Sequence, residues 1–146
     1  MYKVLRTWGL AAMLAVGASA QDASDITGRY EFLDARDWVQ VIHEGGKLRG
    51  YISRHNPDGD GGYLEHLFSR GSYDGHRLTF TTRSVHATWF EFDGTVQRGA
   101  VADRTHDGFL VIRGKLTRYR SDAEKKVTAE SREVEWKLLA EKEGNP

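Results

Sequence analysis

Apolar side chains recur at every second position through most of this chain, and no other feature constrains its fold as much. Val39, Val41 and His43 share one face of a segment, as do Phe90 and Phe92 further on. Alternation of this kind is typical of a β-strand with one buried face, whereas a helix repeats every ~3.6 residues. Short turns interrupt the pattern, and no segment resembles a crossover helix. The sequence therefore predicts about eight antiparallel strands joined as a meander.

The segment 122–143 admits two interpretations. It is rich in Ala, Glu, Lys and Leu, which favour helices. Val134, Trp136 and Leu138 nevertheless alternate with charged residues, and a helical stripe starting at Val127 would have to include polar positions. We expect an eighth strand here, with a helical tail as the alternative.

Three glycines interrupt the alternation in the same way, each flanked two residues away by apolar side chains. They are Gly50, Gly94 and Gly114, and all three fall on the apolar face. A missing side chain at such positions lets a strand bend inward until the sheet closes on itself. The expected fold is therefore all-β, an antiparallel up-and-down β-barrel of about eight strands. The alternative is an open sandwich in which these glycines mark ordinary bulges.

In such a barrel the inward face is apolar and the outward face is polar, the reverse of a membrane barrel. A barrel of eight strands is just wide enough to be filled by side chains or to hold one small ligand, and the sequence leaves both possibilities open. The predicted inward residues are Tyr30, Phe32, Val39, Val41, Leu48, Ile52, Leu64, Phe68, Leu78, Phe80, Phe90, Phe92, Val96, Leu110, Ile112, Leu116, Val134, Trp136 and Leu138.

The first twenty residues resemble a secretory signal. Lys3 and Arg6 precede a short apolar run, and Ala18-Ser19-Ala20 offers a small-residue cleavage site. We therefore expect a signal peptide at 1–20 and a single domain at 21–146, secreted or periplasmic and most compatible with a bacterial source. The chain has no cysteine, which excludes disulfide scaffolds and thiol enzymes. Its 21 basic and 21 acidic residues are intermixed, so we expect no nucleic-acid partner.

Gly28-Arg29-Tyr30 at the start of the first strand resembles the Gly-x-Trp motif of the lipocalins, within the calycin group of secreted meander barrels. In lipocalins an arginine on a late strand packs against the motif's aromatic ring, and Arg118 is the matching candidate. The second lipocalin motif, Thr-Asp-Tyr, is absent. The resemblance implies binding of a small hydrophobic molecule without catalysis.

We therefore expect a non-catalytic protein that binds a small apolar ligand. Enzyme motifs such as Gly-x-Ser-x-Gly and His-Glu-x-x-His do not occur. The alternative is an interaction module that binds a protein or glycan through the exposed aromatics Trp38, Trp89 and Tyr51. The predicted ligand-binding residues are Tyr30, His43, Phe80, Phe90, Phe92 and Trp136, with Tyr30 and His43 as polar anchors.

Two weaker metal patterns occur. Asn56, Asp58 and Asp60 place oxygen ligands at alternate positions, like the first half of a calcium loop, but the bidentate glutamate that completes such a loop is missing. A solvated turn is the favoured interpretation, with a weak Ca²⁺ site as the alternative. His43 and His66 are both predicted to point inward on neighbouring strands, where they could meet as a metal or acid–base pair. The favoured interpretation is that each is hydrogen-bonded near a barrel mouth. We expect no other cofactor.

Overall fold

A computed structural model describes residues 25–56, 59 and 61–141, and this part of the chain is all-β. Its eight antiparallel strands follow the chain in a single sheet, each paired with its sequence neighbours. The strands are β1 (Gly28–Glu31), β2 (Trp38–Glu44), β3 (Lys47–His55), β4 (Tyr63–Tyr73), β5 (Arg77–Thr82), β6 (Thr88–Arg98), β7 (Leu110–Ser121) and β8 (Val127–Lys137). The predicted meander is confirmed, as is the eighth strand. The expected signal peptide, 1–20, lies outside the described residues.

The sheet curls into a barrel that closes along only a short stretch. Tyr30 of β1 forms an antiparallel bridge with Leu138, just beyond β8. The amide of Leu139 donates to the carbonyl of Arg29 at 2.8 Å. The first and last strands therefore meet as the glycine pattern predicts, in one curled sheet rather than the two layers of a sandwich. Over its first seven residues β8 is exposed.

The core consists of the inward residues that alternation predicts. Leu64, Phe68 and Val134 are only half-buried, and the remaining sixteen are buried. The sequence pattern missed Ile26, Phe109 and Val111, which are also buried. Val111 lies on the outward side of β7, where the connection between β6 and β7 covers it, since a Cβ placed on Gly99 would touch its side chain at 3.3 Å.

The inward glycines permit close approach between neighbouring strands. Gly94 on β6 stands directly opposite Gly114 on β7. A Cβ on Gly94 would collide with the carbonyl oxygen of Arg113, and one on Gly114 would collide with that of Asp93. A Cβ on Gly50 would lie 2.8 Å from the ring of Phe68. The bends that curl the sheet therefore fall where side chains are missing.

The two ends of the barrel differ. At the end holding the β2–β3, β4–β5 and β6–β7 connections, the buried side chains of Ile26 and Phe109 plug the interior. The guanidinium of Arg98 packs 3.8 Å from the Phe109 ring centre. We call this the plugged end, and the opposite one, with the β1–β2, β3–β4, β5–β6 and β7–β8 connections, the open end. The described residues contain no helix that could span a membrane.

Candidate functional site

Three of the predicted ligand-binding aromatics, Phe80, Phe92 and Trp136, pack against one another in the middle of the barrel. Phe80 and Phe92 stack with ring centres 5.4 Å apart, and Phe92 lies 4.6 Å from Trp136. Phe80 also stacks on Phe68 at 4.2 Å. These are contact distances for aromatic pairs. This layer of the interior is therefore occupied by the protein's own side chains.

The two predicted polar anchors lie away from this layer. The hydroxyl of Tyr30 donates to the carbonyl of Ile26 at 2.8 Å near the plugged end, and burial raises the pKa of Tyr30 well above its usual range. His43 lies close to the β2–β3 turn, edge-on to Tyr73 at 5.2 Å, and its Nε2 is buried without a hydrogen-bond partner among the described residues. The predicted ligand-binding residues thus lie at different heights in the barrel.

His43 and His66 do not meet, so the alternative of a paired metal or acid–base site has no support in the strand register. His43 stands opposite Leu48 on β3, whereas His66 stands opposite Ile52, four residues further along that strand. At ~3.3 Å per residue this separates the two by about 13 Å along the sheet. The two histidines lie on β2 and β4, which β3 separates. Facing the same side of the sheet does not bring two residues to the same height in the barrel.

His66 instead forms a buried unit with Arg54 and Phe90 towards the open end. The Nε of Arg54 donates to the Nε2 of His66 at 3.1 Å. Both groups contact the Phe90 ring, His66 edge-on at 5.2 Å and the Arg54 guanidinium at 5.3 Å. Burial, and then the charge of Arg54, lower the pKa of His66 to about 4. The imidazole is therefore neutral near pH 7, and its Nε2 accepts the hydrogen bond from Arg54.

Arg118 and Arg120 join Arg54 at the open end, and we call the three residues the arginine cluster. Arg118 stands opposite Phe90 and Arg120 opposite the buried Thr88. Directly opposed residues share a face of the sheet, so both arginines continue the inward side of β7. Burial lowers the pKa of Arg54. Asp37 opposes this shift, and the charges of Arg118 and Arg120 add to it.

Positive charge in this region is only partly compensated. Arg118 pairs with Glu130 at 2.6 Å. Among the described residues, no carboxylate forms an ion pair with Arg54, Arg120 or the nearby Arg132. Three cations close to one barrel opening, none of them in an ion pair among the described residues, make the electrostatic potential there favourable to an anion.

A cavity of about 260 Å³ adjoins the cluster where the barrel fails to close. Two leucines give it apolar walls, and charged side chains of β8 give it a polar rim. It is lined by Leu33, Leu116, Arg118, Glu130, Ser131 and Arg132. It therefore sets apolar surface next to cationic groups.

The alternation in the sequence contains a signal for the arginine cluster. Arg54 follows Ile52 by two positions, and Arg118 and Arg120 continue the series of Ile112, Gly114 and Leu116. Positive side chains that extend an inward series past its last apolar member indicate a charged barrel end.

Arg118 does not lie against Tyr30 as the lipocalin resemblance implies. Tyr30 is at the level of Leu138, which bonds Leu110, so Arg118 is about 26 Å away along β7 at ~3.3 Å per residue.

The outward aromatics form separate groups rather than one patch. Trp38 packs against Tyr63 at 5.3 Å, with the guanidinium of Arg29 at 4.5 Å from its ring. Tyr51 stands opposite the exposed Leu67. Trp89 lies several strands away on β6, where it stacks with Tyr119.

Trp89 and Tyr119 stack in parallel at 5.3 Å on the outer face of β6 and β7. The Tyr119 hydroxyl donates to Glu91 at 2.9 Å, which raises the pKa of the tyrosine. A groove of about 480 Å³ runs from here across the outer faces of β4 to β7. Its lining includes Ser72, Thr79, Thr81, Glu91, Asp93, Lys115, Thr117 and Tyr119.

The calcium prediction remains a prediction. Asp58 and Asp60 lie outside the described residues. Asn56 follows the last residue of β3, and its backbone N–H donates to the carbonyl of Gly62 at 3.0 Å. Within 25–56, 59 and 61–141 there is no group of three or more acidic, histidine or cysteine side chains arranged to hold a metal.

No family model, no curated protein and no solved structure matches this chain.

Proposed function

We propose that the protein is a non-catalytic binding protein that acts outside the cytoplasm and holds a small amphipathic anion at the open end of its barrel. The observation that carries this proposal is that Arg54, Arg118 and Arg120 lie within electrostatic reach of one another at the open end, while Arg54 and Arg120 form no ion pair among the described residues. The proposal keeps the lipocalin-like role expected from the sequence but changes the ligand from purely apolar to anionic.

The packing of the interior moves the ligand towards the opening. Phe68, Phe80, Phe92 and Trp136 contact one another at ring distances of 4.2 to 6.3 Å. A deep apolar ligand would have to displace these contacts. The opening offers exposed apolar surface instead, because Leu33 is 39% exposed beside the cavity.

The electrostatics favour an anionic head group. A guanidinium binds a carboxylate or phosphate through paired charge-assisted hydrogen bonds. Half-burial of Arg54 above Phe90 strengthens any such bond, because the local dielectric is lower than in water. A bound anion would also relieve the repulsion among the three arginines.

The test compares octanoate with 1-octanol, which has the same tail and no charge. We expect native mass spectrometry and calorimetric titration to show that octanoate binds and octanol does not. Arg120→Gln should weaken octanoate binding roughly 10- to 100-fold, the equivalent of about 1.5–3 kcal/mol for a hydrogen bond to a charged group. Arg70→Gln, on the exposed face of β4, is the matched control. Equal binding of acid and alcohol would favour the apolar ligand, and no binding of either would reject the site.

A second candidate function is recognition of a glycan or protein by the outer face. It is supported by the Trp89–Tyr119 stack beside a groove rich in hydroxyl and carboxylate groups. Trp89→Ala should abolish glycan or protein binding and leave octanoate binding unchanged. Arg120→Gln should weaken octanoate binding and leave glycan or protein binding unchanged.

A further inference from the structure

The outer edge of β8 is a long strand edge with little covering it. β8 runs from Val127 to Lys137, and its side chains are exposed from Val127 to Glu133. Among the described residues, strand pairing on this side is limited to the bridge between Tyr30 and Leu138. Unpaired N–H and C=O groups in a row are a template for another strand.

The backbone of β8 presents its odd-numbered residues to this edge. The amide of Leu138 donates to Leu110 on β7, whereas the amides of Lys137 and Leu139 point the other way and bond Glu31 and Arg29. In an antiparallel ladder this orientation alternates strictly along the strand. Ala129, Ser131 and Glu133 therefore turn their N–H and C=O groups outwards.

Charge decides which register a second β8 could adopt on this edge. A symmetric antiparallel pair has its two-fold axis at one residue, which then faces its own copy. An axis at Glu130, Arg132 or Glu133 sets like charges directly opposite each other, which is destabilising. An axis at Ala129 leaves only five residues to pair and forms no ion pair.

An axis at Ser131 has the opposite effect. It sets Glu130 of each copy opposite Arg132 of the other, which gives two ion pairs, and it sets Thr128 opposite Val134. The residues that meet in hydrogen-bonded positions are then Ser131 with Ser131, and Ala129 with Glu133. The outward backbone groups therefore coincide with those that this register needs.

We propose that the edge of β8 pairs with β8 of a second copy of this chain, antiparallel and centred on Ser131. The pairing from Ala129 to Glu133 supplies about six backbone hydrogen bonds. The two Glu130–Arg132 pairs select the register. This inference does not depend on ligand binding at the arginine cluster.

Charge reversal tests the proposal on the purified full chain by sedimentation velocity across the micromolar range. We expect the unchanged protein to dimerise, and Glu130→Arg and Arg132→Glu each to sediment as monomers, because each variant opposes like charges. Mixing the two variants should restore a dimer, since an all-arginine edge then meets an all-glutamate edge. This rescue also shows that both variants are folded.

Glu65→Arg, an exposed reversal on the outward face of β4, is the matched control and should leave the dimer unchanged. A monomer at every concentration for the unchanged protein would overturn the proposal. So would a dimer that persists in both single variants, or a mixture that stays monomeric.

Discussion

His66 connects the packing of one side chain to the pH dependence of the whole fold. It is fully buried, and its pKa is lowered from 6.5 to about 4 by burial and by Arg54. The unfolded chain therefore binds this proton more readily than the folded one. The stabilisation is fully present above pH 6.5 and is lost as the pH falls from there towards 4.

We expect the free energy of unfolding to fall by about 2 kcal/mol between pH 7 and pH 4.5, because His66 is protonated in the unfolded chain over this interval and remains mostly neutral in the folded one. Denaturant unfolding at the two pH values measures this loss. His66→Gln keeps an acceptor for Arg54 without a titrating group, so its loss over the same interval should be smaller by about that amount. An equal loss in both proteins would show that carboxylates account for the pH dependence.

Residue burial was largely predictable from the sequence, because within each strand every second residue faces the inside of the barrel. Tyr30, Phe90 and Trp136 are buried as predicted. The parity rule did not reveal what lies beyond the apolar core, since it assigns a side chain to a face and not to a level along the barrel. Hence the sequence left open whether His43 and His66 meet, and it did not reveal the arginine cluster.

At the level of elements, β6 and β7 show how a missing side chain sets strand geometry. Gly114→Ala would place a Cβ against the backbone of Asp93 and Gly94, and the two strands would have to separate. Overpacking of this kind costs about 1–3 kcal/mol. Lys115→Ala, one residue away and exposed, should change stability by less than about 0.5 kcal/mol. The denaturant midpoints of the two variants measure this difference, and we expect the lower midpoint for Gly114→Ala. Similar midpoints would mean that the close approach of β6 and β7 does not require glycine.

β8 shows alternation prevailing over local propensity. Its Ala, Glu and Lys residues favour helix, yet it pairs with β7 along its whole length, from Val127 opposite Ser121 to Lys137 opposite Val111. The buried Trp136 accounts for this, because only a strand carries its ring into the aromatic layer while its neighbours stay in water. Tertiary burial outweighs a propensity difference of less than about 1 kcal/mol per residue.

At the scale of the molecule, the two ends of the barrel differ in what fills them. The plug formed by Ile26 and Phe109 involves residues outside the regular strands, whose burial no periodicity indicates. Whether the interior is filled or hollow depends on how the aromatic rings orient against one another, which a pattern of apolar positions does not encode. The sequence could therefore predict the curled meander but not which end stays open.

Leu138, just beyond β8, links the first and last strands of the barrel. Its side chain is 4% exposed, its backbone bonds Leu110 and Gly108, and it bridges Tyr30. Leu138→Ala should cost about 2–5 kcal/mol, as for other buried leucines. Leu67→Ala, at a leucine that is 49% exposed, is the matched control and should cost less than about 0.5 kcal/mol. Amide exchange at Leu139, which bonds Arg29, should accelerate in the first variant only. Unchanged exchange there, despite lower global stability, would mean that the backbone bridge holds the strands together without the side chain.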